Sequence, residues 1–241
     1  MCTIERLHIK IKQKGNKVDS NHFKDLPPAF IDDYIYEGMF NYIELFYAGK
    51  NIRNYNIGFE TTSQRTDMLK HLVTSQELTT ESSNSENGLI VTRFNLPDDY
   101  MHWVRVIGNN SCNGYSIEVV QHEDLSSVLG DSYKGPSDKW KRAIAVFRGS
   151  ALYLYTESTP TTITVEYIQK PIKPFIGNYD TLEFINGDTT YPNSSSSKID
   201  PNWPEEYCDI LADIVVQNIM GDIGDYNRSQ YNQQKINNIT F

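Results

Sequence analysis

The chain has 241 residues, a length for one or two domains, and at that size a folded chain buries ~70–75% of its unfolded surface. Apolar residues make up 39% and charged residues 22%, which excludes disorder throughout, and no run approaches the ~20 apolar residues of a membrane span. The formal charge is −9, so the chain lacks the basic surface through which Lys and Arg neutralise phosphates, and tight nucleic-acid binding is excluded.

The charge is polarised. Residues 1–25 carry six cations (Arg6, Lys10, Lys12, Lys14, Lys17, Lys24) against three acids, whereas Asp200 onward carries seven acids against two bases. Two readings follow: oppositely charged solvated faces, or head-to-tail attraction between copies. The start, MCTIERLHIKIKQKGNK, has no apolar block of the secretory kind, which predicts a protein made and kept in a cytoplasm-like space. Cys2, Cys112 and Cys208 are odd in number and form no C-x-x-C pair, so reduced thiols are expected.

Thr3–Lys14 is expected as a helix, with Ile4, Leu7 and Ile11 at helical spacing. After a polar turn, the clearest element runs from Asp25 to Lys50. Pro27 and Pro28 suit a helix start and Gly49 the position past its end, while Ile31, Ile35, Met39, Tyr42, Ile43 and Phe46 form a stripe that Phe30, Tyr34, Phe40 and Tyr47 widen around the circumference. Such a helix needs cover on several sides, from its own domain or from other subunits. Phe59–Val73 predicts another helix, capped by Thr61 or Thr62 and burying Met68, Leu69, Leu72 and Val73, and Thr79–Asn87 reads as a polar connector.

The middle changes period. Gly88–Asn95, Tyr100–Ile107, Tyr115–Val120, Ala143–Phe147, Ala151–Thr156 and Thr161–Ile168 are short, β-branched or aromatic runs bounded by turn residues, which predicts six strands in an antiparallel sandwich or barrel. Arg148-Gly149-Ser150 reads as a tight hairpin, and His122–Leu129 as a short helix or turn that Asp124 could cap.

Asp188–Asp200 reads as a second connector. The last segment returns to helical spacing, with Asn202 as cap, Pro204, Glu205 and Glu206 in the first turn, and Tyr207, Ile210, Leu211, Ile214, Val215 and Ile219 as the buried stripe. Beyond Gly224 the polar tail is expected to extend that helix or to order only on binding. The expected fold is α+β: a helical bundle built from the N- and C-terminal segments (1–80 and 200–241, the latter including the polar tail) with an inserted antiparallel β-sandwich or barrel domain (88–186).

Chemistry is hard to find. There is no phosphate-binding glycine loop, no G-x-S-x-G, and no ligand spacing among His8, His22, His71, His102 and His122, so no cofactor, metal or catalytic residue is assigned and the chain is read as a non-enzyme. His122-Glu123-Asp124 places an acid beside an imidazole without evidence that they meet. Glu205, Asp209 and Asp213 lie four apart on one helical face, whereas a glycosidase needs two carboxyls across a cleft, so a solvated acidic face is the simpler reading. The 16 tyrosines stand out, because Tyr and Trp serve both protein interfaces and carbohydrate sites. Tyr179, Tyr191, Tyr226 and Tyr231 lie among polar neighbours, and the candidate interface residues are Tyr34, Tyr42, Phe46, Trp203, Tyr226, Tyr231 and Phe241.

KVDSNHFKDLPPAFIDDYIYEGMFNYIELFY followed by FETTSQRTDMLKHLV resembles the amino-terminal helical region of virion structural proteins of crAss-like and related podovirus-type tailed bacteriophages. The matching positions are the turn Asn16, Asp19, Ser20 and Asn21, then Phe59, Glu60, Gln64, Asp67, Leu69, Leu72 and Val73. VEYIQKP (Val165–Pro171) and Pro204–Val215 resemble the end of the same proteins, whereas Tyr36–Asn41, YEGMFN, departs from the family's Asn, Ala and Gln. The resemblance implies a head-to-tail connector: an adaptor or ring subunit, often in twelve copies, that meets the portal and neighbouring tail or ring proteins and surrounds the channel through which genomic DNA passes without being gripped. It implies a place in the virion after synthesis in host cytoplasm, with no membrane partner. The competing expectations are a carbohydrate- or receptor-binding tail module on the tyrosine-rich β-domain and, third, a glycoside-cleaving tail enzyme.

Overall fold

The computed structural model describes residues 1–16, 26–47, 67–86, 88–108, 114–158, 162–177, 183–185, 188–190 and 198–223, together with Gln230 and Gln234. The chain is mixed α and β, and it divides into two compact units, Met1–His71 with Pro171–Phe241, and Leu72–Lys170.

In the first unit, α1 (Ile4–Asn16) forms where expected. Ile4, Leu7 and Ile11 are buried, and the Thr3 carbonyl accepts the Leu7 N–H at 3.1 Å, starting the helix. Helix α2 (Pro28–Tyr47) begins on a proline, whose missing N–H is no loss in the first turn. Its stripe of Ile31, Ile35, Met39, Tyr42, Ile43 and Phe46 is buried within the chain. The last helix of the described chain follows a 3₁₀ turn at Glu205–Tyr207, and Pro204, not the expected Asn202, holds the cap position. It spans Cys208–Ile223 and is here numbered α4. Leu211, Ala212, Val215, Val216, Ile219 and Met220 are buried, the larger of these aliphatic side chains each contributing about 1.5–3 kcal/mol when fully withdrawn from water. Close approach explains Gly38, where a Cβ would stand 2.7 Å from Val215 Cγ2.

Charge then aligns the two ends of the chain. Arg6 pairs with Glu205, Lys10 Nζ lies 2.8 Å from Asp209 Oδ1, and Lys14 Nζ lies 2.7 Å from Asp213 Oδ1. Both series step by four and increase together, so α1 and this acidic face run in the same direction as two matched ladders. The acidic row is therefore paired with α1, with Glu205 and Asp209 still largely exposed and Asp213 buried. The thiol expectation is also corrected: Cys2 and Cys208 form a disulfide with their Cα atoms 5.9 Å apart, and both are fully buried. Sequence spacing could not show this, because the partners are separated by 206 residues.

The second unit holds two sheets. Strands β1 (Val73–Thr79), β8 (Thr162–Gln169) and β4 (Tyr100–Gly108) form one, in the order β1-β8-β4. Strands β2 (Ser82–Glu86), β3 (Leu89–Asn95), β7 (Ala151–Thr156), β6 (Arg142–Arg148) and β5 (Ser116–Val119) form the other, in the order β2-β3-β7-β6-β5. All six expected strands are present. Leu78, Val106, Ile163, Val165 and Tyr167 of the first sheet and Phe94, Ala143, Ala145, Leu152 and Leu154 of the second share one apolar cluster. The Gly149-Ser150 hairpin between β6 and β7 has Gly149 at φ +61, as a two-residue turn requires.

Several expectations change. Val73 begins a strand rather than ending a helix; Asp67–Leu69 are helical, and residues 59–66, which include the expected caps Thr61 and Thr62, lie outside the described residues. The connector expected over Thr79–Asn87 contains β2, a wholly exposed edge strand held by pairing with β3. Strands β5 and β6 pair in parallel, so the five-stranded sheet is mixed. Between them lies the short helix α3 (Leu125–Gly130); Asp124 stands at its N-cap without a side-chain cap bond. Strands β9 (Glu183–Ile185) and β10 (Asp188–Thr190) form a separate antiparallel pair, the latter within the expected second connector.

Candidate functional site

The five-stranded sheet presents its second face away from the shared cluster. Period-two alternation places Arg93, Val91, Tyr153, Tyr155, Ile144 and Val146 there, because Phe94, Leu152, Leu154, Ala143 and Ala145 face the other way. Leu125 of α3 closes on Val91, Ile144, Val146 and Tyr155, with Val128 and Leu129 packed alongside. The remainder stays open as a cavity of ≈ 190 Å³ lined by Ser82, Asn84, Glu86, Val91, Arg93, Arg148, Tyr153 and Tyr155.

Register explains why those groups meet. Ser82 pairs with Arg93, Arg93 with Tyr153, and Tyr153 with Val146, making one row across four strands. Asn84, Val91, Tyr155 and Ile144 make the next row. Arg148 arches over Tyr153, its guanidinium carbon 5.1 Å from the ring centroid, and one of its nitrogens lies 3.3 Å from His122 Nδ1. Arg93 Nε lies 3.1 Å from Glu81 Oε2. The floor thus offers a flat aromatic surface, two guanidinium groups, and amide, hydroxyl and carboxylate groups. That set suits a hydroxylated or anionic ligand lying along the sheet.

Two polar centres occupy the helical unit. His8 Nε2 lies 2.6 Å from Asp32 Oδ1, and Asp32 Oδ2 accepts the Ile176 N–H at 3.1 Å; both side chains are fully buried. This arrangement joins α1, α2 and the Pro171–Gly177 segment, and without access from solvent it is structural. The second is an aromatic box: His71 lies 4.5 Å from Trp203, 5.7 Å from Tyr207 and 6.5 Å from Tyr42, measured between ring centroids. Desolvation lowers the His71 pKa to about 4. Burial likewise raises the Tyr42 phenol well above its ordinary value, with Tyr207 adding to the effect.

These positions redefine the expected interface. Tyr42, Phe46 and Trp203 lie in the interior of their own chain, Tyr42 meeting both Phe46 and Trp203 ring to ring at 4.5 and 5.0 Å. A helix stripe alone does not reveal whether its cover is intramolecular. Tyr34 is partly exposed and donates its hydroxyl to Asp222 Oδ2 at 2.7 Å, a bond that raises its pKa to about 12. Tyr226, Tyr231 and Phe241 lie outside the described residues, as do Tyr179 and Tyr191. The Arg93–Arg148–Tyr153–Tyr155 group escaped sequence reasoning, although alternation in ALYLYT already put both tyrosines on one face.

Among the described residues no group of His, Cys, Asp and Glu is arranged to hold a metal ion, and no helix is long and apolar enough to cross a membrane. Comparison with protein-family models and with curated proteins finds no match.

Proposed function

We propose that the chain is a structural virion protein, a head-to-tail connector or ring subunit that joins the portal to the tail around the DNA exit channel and carries no catalytic activity. The observation that carries this reading is the joining of both chain ends. The α1 and α4 ladders and the Cys2–Cys208 disulfide unite distant segments in one helical unit, while residues 72–170 form a second unit between them in sequence. A chain whose two ends are fastened together, with a second unit between them in sequence, suits a subunit that resembles a connector. The acidic balance suits a conduit from which DNA must leave freely.

The support does not come from spare apolar stripes. Those of α2 and α4 are covered within the chain, and α2 keeps only Phe30 and Tyr47 as strongly exposed large apolar side chains. Mass photometry of the purified chain, alone and with its portal, tests the reading. Defined multimers or a portal-bound ring are expected; a persistent monomer indifferent to portal overturns it.

A second reading, a carbohydrate- or receptor-binding tail module, is favoured by the open sheet face with Arg148 over Tyr153. Glycan-array binding that Arg148→Ala and Tyr153→Ala each abolish would support it. An array with no hits removes it.

A further inference from the structure

The most exposed ring in the second unit is Tyr133, at 89%, followed by Trp140 at 70%. Both lie in one loop, residues 131–141, between α3 and β6. Hydrogen bonds fix the backbone of this loop and leave both rings exposed. Asp131 accepts the Tyr133 N–H on its side chain and the Gly135 N–H on its carbonyl, each at 2.8 Å. The Arg142 guanidinium donates to the Tyr133 carbonyl, and Ser137 and Arg142 exchange two backbone bonds of 2.9 Å. At the tip, Asp138 receives the Tyr115 hydroxyl at 2.7 Å, and its own N–H donates to Glu157 at 2.7 Å.

The same loop concentrates positive charge. Lys134, Lys139, Lys141 and Arg142, four of the eight cations between residues 72 and 170, stand in this loop against two acids, Asp131 and Asp138, whereas outside 131–142 that span holds four cations against ten acids. Lys134, Lys139 and Lys141 are exposed, and Lys139 Nζ lies 5.3 Å from the Trp140 ring centroid. A loop whose backbone is already ordered has less main-chain freedom to lose on docking and presents the aromatic residues that dominate binding energy. Its complement must be acidic. Loop-to-loop contact would bring its own cations together, which is costly, so on a second copy the loop must meet a different, acidic patch.

We infer that loop 131–142 is a docking element that inserts Tyr133 and Trp140 against an acidic surface of a second copy of this chain, making the head-to-tail contact from which a ring closes. This rests on the ring reading above and names the contact within it.

The test compares wild type, Trp140→Ala, Tyr133→Ala and the charge reversal Lys134→Glu/Lys139→Glu by mass photometry across a concentration series at low and high salt. Circular dichroism and thermal melts confirm folding, and Arg142 is left intact because it holds the loop's shape. The expected result is assembly by the wild type, weakened by salt, about tenfold or more weaker in Trp140→Ala, and lost in the charge reversal. Equal assembly by wild type and all variants overturns the loop contact and leaves the ring standing. Normal homo-assembly with lost portal binding assigns the loop to the portal and overturns the second-copy assignment. A wild type that never assembles, with or without portal, removes both the ring and this contact.

Discussion

Lys14 of α1 and Asp213 of α4 meet at 2.7 Å although 199 positions separate them, and they differ in solvation: the lysine side chain is 25% exposed and the aspartate 3%. The ends of the ladder therefore differ, with Arg6 and Glu205 in water and Asp213 withdrawn from it. Removing a cation matters most where its partner cannot rehydrate. Lys14→Ala is expected to destabilise the chain by about 3 kcal/mol in urea unfolding. Arg6→Ala should leave the midpoint within error, since an exposed pair exchanges protein contact for water. Equal effects from the two substitutions would contradict that difference.

Much of the secondary structure was legible because burial follows period. Ile4, Leu7 and Ile11 mark one face of α1, and alternation marks all six strands from β3 to β8. Strand β2 was not legible, since SSNSE buries nothing and exists by pairing with β3. The charge ladder was half legible. The i, i+4 spacing of Glu205, Asp209 and Asp213 was visible, but the matching spacing of Arg6, Lys10 and Lys14 gained meaning only once the chain ends met. The open sheet face required register, which relates Ser82 to Arg93 and Arg93 to Tyr153. Register depends on pairing partners that a single sequence does not state.

Gly38 gives a prediction with opposing terms. Replacing a helix-interior glycine by alanine ordinarily stabilises by about 1 kcal/mol through backbone entropy. Here the new methyl would stand 2.7 Å from Val215 Cγ2 and 3.8 Å from the Val215 Cα, so α2 and α4 must separate or Val215 must turn. Overpacking costs about 1–3 kcal/mol, which outweighs the helix gain. Gly38→Ala should thus be destabilising, and Gly38→Ala/Val215→Ala less so than the sum of its parts. Additive thermal shifts would show that the contact does not limit the packing.

The disulfide gives a countable outcome. With Cys2 and Cys208 joined, the unreduced chain in denaturant should show one titratable thiol, from Cys112, and three after reduction. Reduction, or Cys208→Ser, should cost about 2–4 kcal/mol of stability, because the open chain regains the conformational freedom that the cross-link removed. Three thiols before reduction would refute the pairing.

His71 supplies the pH dependence. Its box of Tyr42, Trp203 and Tyr207 offers no counter-charge, and Lys70 adds like-charge repulsion. Desolvation, the largest effect, and this repulsion outweigh the opposing pull of the Met68 backbone and hold the imidazole neutral, with a pKa of about 4 against 6.5 for a free histidine. The unfolded chain takes up a proton at this position below pH 6.5 while the folded chain does not until about 4. Protons therefore favour the unfolded state within that window, and stability falls as pH is lowered from 6.5 to 4, then changes no further on account of this group. Each tenfold difference in proton affinity is worth about 1.4 kcal/mol, and because His71 keeps part of its surface in water the expected loss is ~1–2 kcal/mol. Asp209, held below the usual carboxylate range chiefly by its bond to Lys10, adds a further loss at lower pH through the opposite charge change. His71→Phe keeps an aromatic ring in the box and removes the titration. Urea midpoints measured from pH 7.5 to 3.5 should converge between wild type and variant at neutrality or differ by a constant, with the gap changing only inside the window. A gap that stays constant across the whole range would show that His71 takes up its proton equally in the folded and unfolded chains.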